Sequence, residues 1–201
     1  MSKDDSTEEK IKVAAKAIFM RKGYAATKTR DIAEEAGINL ALVNYYFRSK
    51  EKLFHEIMSE SIQSFMSGIF MVFFDENSTL QQKLEQLSNN YIDFLLKEPN
   101  TPIFIISELR SNPEQFITRI TAGAKMNESV LFRQIMEEIG PEKARQINPL
   151  HIMINLLGMI VFPFIGKPML ELSAQVDQAH FEKMMNERKQ LIPKWIMGMI
   201  G

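Results

Sequence analysis

Apolar positions in this 201-residue chain recur at the three- and four-residue spacing of helices and almost nowhere alternate as strands do. Ile11, Ala14, Ala15, Ile18 and Phe19 make a first stripe ending near Gly23, with Ser6 and Glu9 reading as a capping box ahead of it. A short second helix is predicted from Thr29, taken as its cap, through Ile32 and Ala33 to Gly37, and a third follows Asn39. Ser49 caps a long fourth helix from Lys50 to about Phe74. Its apolar positions are too many for one stripe and predict burial between neighbours. Ser78 and Gln81 read as a capping box for a fifth helix, with Leu80, Leu84, Leu87, Tyr91 and Leu95 inward as far as Pro99. Thr101 as cap and Pro102 as first residue open a sixth; Asn112-Pro113 opens a seventh that can reach Ile139. Asn148-Pro149 starts an eighth, apolar almost all round, up to Gly166-Lys167-Pro168. A ninth, after Asp177, sets Phe181, Met184, Met185, Leu191, Ile192, Trp195 and Met199 on one face, with a kink predicted at Pro193. The pattern predicts an all-α chain of about nine helices, a three-helix head on a larger helical body.

The stretch from Thr27 to Leu53 carries the densest information. Ala33, Gly37 and Val43 have the spacing of a helix-turn-helix joint. A small residue lets the second helix cross the first, a glycine accepts positive φ in the turn, and a branched apolar residue returns to the joint. Asn39 stands where the second helix needs an N-cap. An ordinary pair of packed helices would show the same spacing. The outer face argues for more: with Val43 and Phe47 inward, Leu40, Ala41, Asn44 and Tyr45 or Tyr46 are left outside. Tyrosine hydroxyls and asparagine amides bond phosphates, asparagine pairs with adenine, and leucine or alanine meets a thymine methyl. Lys50 and Lys52 fall in the first turn of the next helix, against its macrodipole, a sign that a nearby phosphate would reverse. A solvated SKEK turn is the plainer account of those two lysines.

Thr29-Arg30-Asp31-Ile32-Ala33, Ala36-Gly37-Ile38-Asn39, Tyr45-Tyr46-Phe47 and Ser49-Lys50-Glu51-Lys52-Leu53 together resemble the N-terminal domain of the TetR family of transcriptional regulators. The four blocks agree in order and spacing over roughly residues 8 to 55, about a quarter of the chain. Beyond them, only length and helical pattern support the family. Asn44 departs from it, standing where many members carry the first tyrosine of a Tyr-aromatic pair. The resemblance implies a DNA-binding head over residues 1–48 and a ligand-binding and dimerisation body over 49–201. On the head, Thr29 and Arg30 are expected against backbone and groove edge, with Arg30 the candidate for a guanine. Asn39, Leu40 and Asn44 belong to the reading helix; Tyr45, Tyr46 and Lys50 are expected to hold the phosphate backbone.

Charge sharpens the picture. The net charge is −1. Between Lys10 and Lys52, ten Lys or Arg stand against four acids, a surplus of six, so the remainder carries −7. A basic region on a near-neutral protein suits site-specific binding of a double-stranded operator better than general attraction to nucleic acid. The chain has no cysteine, which excludes disulfides, thiolate catalysis and cysteine-based zinc sites. His55, His151 and His180 show no metal-ligand spacing, and there is no phosphate loop or nucleophile elbow. No catalytic residue, metal or cofactor is expected. The acidic, polar start is unlike a signal peptide, and the most apolar run, about 14 residues from Ile152, falls short of the roughly 20 a membrane span needs. A cytoplasmic protein without membrane contact is expected.

The body holds most of the 14 methionines and 14 phenylalanines. A Met-rich core without a cavity would account for them. The family resemblance instead implies a small, mostly apolar effector, for which Phe65, Met66, Ile69, Phe94 and Phe104 are candidates by their inward positions. The helices over 152–164, from Ile152 to Phe164, and over 181–199, from Phe181 to Met199, are expected to join two copies as a homodimer. The reading is therefore a ligand-responsive regulator, a repressor released from a palindromic operator. An effector-independent DNA-binding protein, and an all-helical enzyme or adaptor with a coincidental motif, are the alternatives.

Overall fold

A computed structural model describes residues 3–145 and 148–200. Its elements are α1 (Lys3–Ala26), α2 (Thr29–Ala36), α3 (Leu40–Phe47), α4 (Lys50–Phe74), α5 (Leu80–Lys97), α6 (Thr101–Ser111), α7 (Pro113–Thr121), a 3-10 turn (Met126–Glu128), α8 (Val130–Ala144), α9 (Leu150–Ile165), α10 (Lys167–Ala174) and α11 (Gln178–Ile200). The described residues are all-α. The expected count of about nine becomes eleven among the described residues because two extra breaks occur. The predicted seventh helix breaks where Ala122 and Gly123 take positive φ, after which Ser129 caps α8 by accepting from the Phe132 N–H. The Gly166-Lys167-Pro168 stop starts a new short helix, α10, with its proline in the first turn.

Several caps lie elsewhere than expected. Ser6 is inside α1, which begins by Lys3, while the predicted end at Gly23 is real: its φ of 76° breaks the helix there. Lys28, not Thr29, caps α2. Thr79 and Gln82, not Ser78 and Gln81, form the reciprocal box that opens α5. Ser78 is taken by Lys83, whose fully buried ammonium donates to the Ser78 hydroxyl and carbonyl and to the Asp75 carbonyl. At α6 the cap is Asn100, and Thr101 is already helical. Pro193 sits inside α11, which runs on through it to Ile200.

The chain divides into two compact units, Met1–Ile62 and Gln63–Gly201. The division between these units falls inside α4. In the first unit Ile11, Ala15 and Phe19 of α1, Ile32 and Ala33 of α2, Val43 and Phe47 of α3, and Leu53 and Ile57 of α4 form one core. Lys12 reinforces it, its ammonium 2.6 Å from Glu56, 2.8 Å from Glu60 and 3.3 Å from Glu8. In the second unit the core is built from the buried stripes of α5, α8, α9 and α11 with Ile69, Val72 and Phe73 of α4. By length and hydropathy α4 could cross a membrane, but Leu53, Ile57, Ile62, Ile69 and Phe73 are buried, as in a core helix.

The expected single apolar face of the last helix is two faces. Phe181, Met185, Ile192, Ile196 and Ile200 of α11 are buried, while Leu191, Trp195 and Met199 are exposed at four-residue spacing. On α9, Ile152, Met153, Leu156 and Ile160 are buried, and Leu150, Ile154 and Phe162 are exposed at the same period. The two exposed stripes adjoin, with the Asn155 amide nitrogen 3.5 Å from the Met199 sulfur.

Candidate nucleic-acid interface

The joint between α2 and α3 is made almost entirely by local atoms. Gly37 takes φ 65° and ψ 33°, and its N–H donates to the Glu34 carbonyl while that of Ile38 donates to Ala33. This pair of bonds ends a helix with a left-handed residue, which glycine reaches without steric cost. Asn39 is extended, and its Oδ1 accepts the Ala41 N–H at 2.9 Å. At the entry to α2 the Lys28 N–H donates to Asp31 Oδ2 at 2.9 Å, with Lys22 Nζ 3.4 Å from the same oxygen. The backbone hydrogen bond and the lysine hold the Asp31 carboxyl below its ordinary range.

With Val43 and Phe47 fixed in the core, Ala41, Leu42, Asn44 and Tyr45 stand exposed on α3. Tyr45 is 78% exposed, its ring edge-on to that of Tyr46 at 5.3 Å. Tyr46 and Leu40 are half-buried against the core. The periodicity of α3 located this face but missed Leu42, which the pitch of a short helix turns outward. Thr29 is half-buried at the start of α2; Arg30 beside it is exposed, with no side-chain partner among the described residues. Other cations of the basic stretch are already engaged: Arg21 with Glu35 at 2.7 Å, Lys22 with Asp31, Lys12 with its three glutamates. Glu35 and Asp31 are already subtracted in the surplus of six, so of these cations only Lys12, paired with glutamates outside the stretch, lowers it.

The link from α3 to α4 is one strained residue. Arg48 has φ 56° and ψ −35°, and the Ser49 N–H reaches back to the Phe47 carbonyl across it. The Ser49 hydroxyl then accepts the Lys52 N–H at 3.1 Å and caps α4. Lys50 turns inward. Its ammonium donates to the Tyr24 carbonyl at 2.8 Å and the Thr27 carbonyl at 2.9 Å, and lies 4.2 Å from the centre of the Tyr24 ring. Spacing along the chain gives no sign of this, since the partners are 26 and 23 residues away.

In the body, three of the five candidate effector residues come together. Phe65 stacks on Phe94, Tyr91 meets the Phe65 edge, and the Tyr91 hydroxyl donates to the Met66 sulfur at 3.5 Å. Ile69 is a core residue, and Phe104 of α6 is buried. Tyr91 was read only as an inward position; burial pushes its hydroxyl up to about 12. Between α9, α10 and α11 lies an open apolar groove of about 620 Å³, lined by Ile154, Met159, Phe162, Met169, Met184 and Arg188 among others. Among the described residues no cluster of His, Asp and Glu could hold a metal ion.

A small helical head with a glycine turn and an exposed, tyrosine-bearing second helix, on a separate helical body, defines a helix-turn-helix DNA-binding protein. Residues 11–57 match the sequence model of the family described as bacterial regulatory proteins, tetR family. The "Probable HTH-type transcriptional regulator YttP" of Bacillus subtilis (strain 168) is 27% identical over 197 residues, 95% of this chain and 92% of that one. The head thus matches that of TetR-family transcriptional regulators, and the likeness to YttP runs along almost the whole chain. The fold agrees with that of a TetR/AcrR-family regulator from Thermobifida fusca YX-ER1, at a TM-score of 0.62 and 16% identity over 92% of this chain and 96% of that one. It also agrees with FadR from Bacillus subtilis, solved in complex with stearoyl-CoA, at a TM-score of 0.52 and 18% identity over 92% and 96%.

Proposed function

We propose that this regulator is a cytoplasmic repressor that binds a palindromic operator as a two-fold homodimer and releases it when a small, mostly apolar effector binds the body. The observation that carries the reading is the pair of adjoining exposed stripes, Leu150, Ile154 and Phe162 on α9 and Leu191, Trp195 and Met199 on α11. Apolar rows at four-residue spacing on two neighbouring helices are the surface of a four-helix contact with a second copy. An isologous contact of this kind presents two reading helices to a site with two-fold symmetry.

At each half-site α3 enters the major groove. Leu40 and Asn44 contribute base preference, Arg30 takes a guanine, and Asn39, Thr29, Tyr45 and Tyr46 set the register on the phosphates. The effector occupies the cluster of Phe65, Met66 and Phe94 beside Ile69 and takes its polar contact from Tyr91, which now donates to a thioether; Phe104 of α6 stays a candidate by its burial alone. Helix α4 runs from Lys50 to Phe74, so it is the covalent route by which a shift at Phe65 reaches the head. The effector must prefer the non-binding geometry, since equal affinity for both would move nothing.

Ile154→Asp together with Phe162→Asp is the test of the dimer. The variant should sediment as a monomer and bind a duplex selected by the wild-type protein far more weakly. Leu157 and Val161 are unsuitable for this, being half-buried, with Val161 packed on the core. Wild-type protein that sediments as a monomer at micromolar concentration rules the arrangement out. Induction is tested by reciprocity: an effector that releases DNA binds less tightly when saturating operator is present.

A further inference from the structure

The sequence places Lys50 among the residues that hold phosphate, and the structure puts its ammonium to another use. After Gly23 the chain leaves the geometry of α1, and the segment from Tyr24 to Thr27 leads into α2. Thr27 is buried, and its hydroxyl donates back to the Gly23 carbonyl at 2.7 Å. The Tyr24 and Thr27 carbonyls both accept from Lys50 Nζ. Beneath the ammonium the Tyr24 ring packs 4.6 Å from Phe54 and 5.9 Å from Phe19, so the contact is anchored in the head core. A phosphate could draw the ammonium away only by leaving two carbonyls of a part-buried turn unpaired and giving up the ring.

We infer that Lys50 is a positioning residue: by tethering the Tyr24–Thr27 turn to the first residue of α4 it fixes the start of α2, and with it Thr29 and Arg30, against the DNA. This rests on the reading of α2 and α3 as the operator-contacting surface. Its contribution to binding is then sequence discrimination and not charge. A phosphate contact has the opposite signature, because losing one lowers the salt dependence for every sequence alike. Lys50 also links the two ends of the head's covalent path, since a displacement of the α4 N-terminus is passed to the entry of α2 through two hydrogen bonds.

The experiment uses the full-length protein, a duplex that the wild type selects from a random pool, and a shuffled duplex. Lys50→Met keeps the aliphatic stem and removes the donors. Amide hydrogen exchange over residues 24–31 of the free variant should quicken while the α4 and α5 amides keep their protection. The affinity ratio between selected and shuffled duplex should fall about tenfold, with the slope of log K against log salt unchanged. Tyr24→Leu, which removes no charge, should reduce the same ratio. A merely structural loss would lower the folded fraction and weaken both duplexes equally, leaving the ratio where it was. A salt slope reduced by about one with the ratio intact makes Lys50 a phosphate contact and overturns the proposal. Unchanged exchange over 24–31 overturns it whatever the DNA does. Failure of the wild type to select any duplex would instead sink the operator reading, with the exchange measurement still deciding the tether.

Discussion

The rings of Phe65 on α4 and Phe94 on α5 lie face to face, 4.0 Å between centroids and 5° from parallel. Tyr91 meets Phe65 at 4.6 Å and 86°, so a parallel and a perpendicular pair share one ring. A flat, apolar molecule can take the place of either ring face. The neighbouring phenol is the polar landmark of the cluster.

Tyr91 should titrate apart from an ordinary tyrosine. Burial favours its neutral form and raises the hydroxyl from 10.0 to about 12. The folded state therefore holds its proton where the unfolded state has lost it, and the sign follows: stability from this group is complete below pH 10 and falls as pH rises toward 12. Absorbance titration of the phenolates should show a late step that is absent in Tyr91→Phe. If the two curves superimpose, the hydroxyl is not buried.

Arg30→Ala should weaken binding to the selected duplex by about 1–3 kcal/mol and relax preference at one base position in each half-site. The exposed guanidinium has no internal partner among the described residues, so its removal leaves no buried group unpaired. Repeating the duplex selection with the variant measures this. An unchanged preference logo would place Arg30 off the bases.

Asp31→Asn should loosen the entry of α2. The carboxylate accepts the Lys28 N–H, which holds its pKa under 3.8. A depressed acid stabilises the fold above its unfolded value and loses that effect as pH falls through the lower folded value. The wild-type head should therefore lose stability in acid below pH 3.8 where the variant, lacking this group, shows a shallower limb. Thermal unfolding followed from neutral pH down to pH 2 reads both curves.

Lys12→Met should lower the stability of the head by about 1 kcal/mol, the scale of a partly exposed ion-pair cluster. Burial disfavours the Lys12 charge, but the hydrogen bonds it donates to Glu56, Glu60 and Glu8 outweigh that and hold the ammonium well above the ordinary lysine range. The methionine fills the same space and leaves three glutamates facing one another. Because a raised lysine contributes fully below its unfolded value of 10.5, the loss should already be present at neutral pH. A melting temperature equal to wild type would mean that the glutamates separate into solvent without cost.

Amino-acid order alone determined the reading element and nearly every helix. Gly37, Asn39 and Ser49 act on backbone groups at most five residues away, and such contacts are written in local spacing. The family blocks are legible for the same reason. What only the tertiary structure decided is where groups meet partners far along the chain. Ser78 satisfies the capping rule as well as Thr79, and it loses the position because a fully buried Lys83 needs its oxygens. The apolar stripe of α11 divides into a buried and an exposed half because α5 and α9 cover only one side of it. Lys50 has the sequence context of a phosphate ligand, yet two carbonyls and a ring more than twenty residues back in the chain hold it inward. A cation's partner is set by what folding brings within about 3 Å of it, and no local pattern carries that distance.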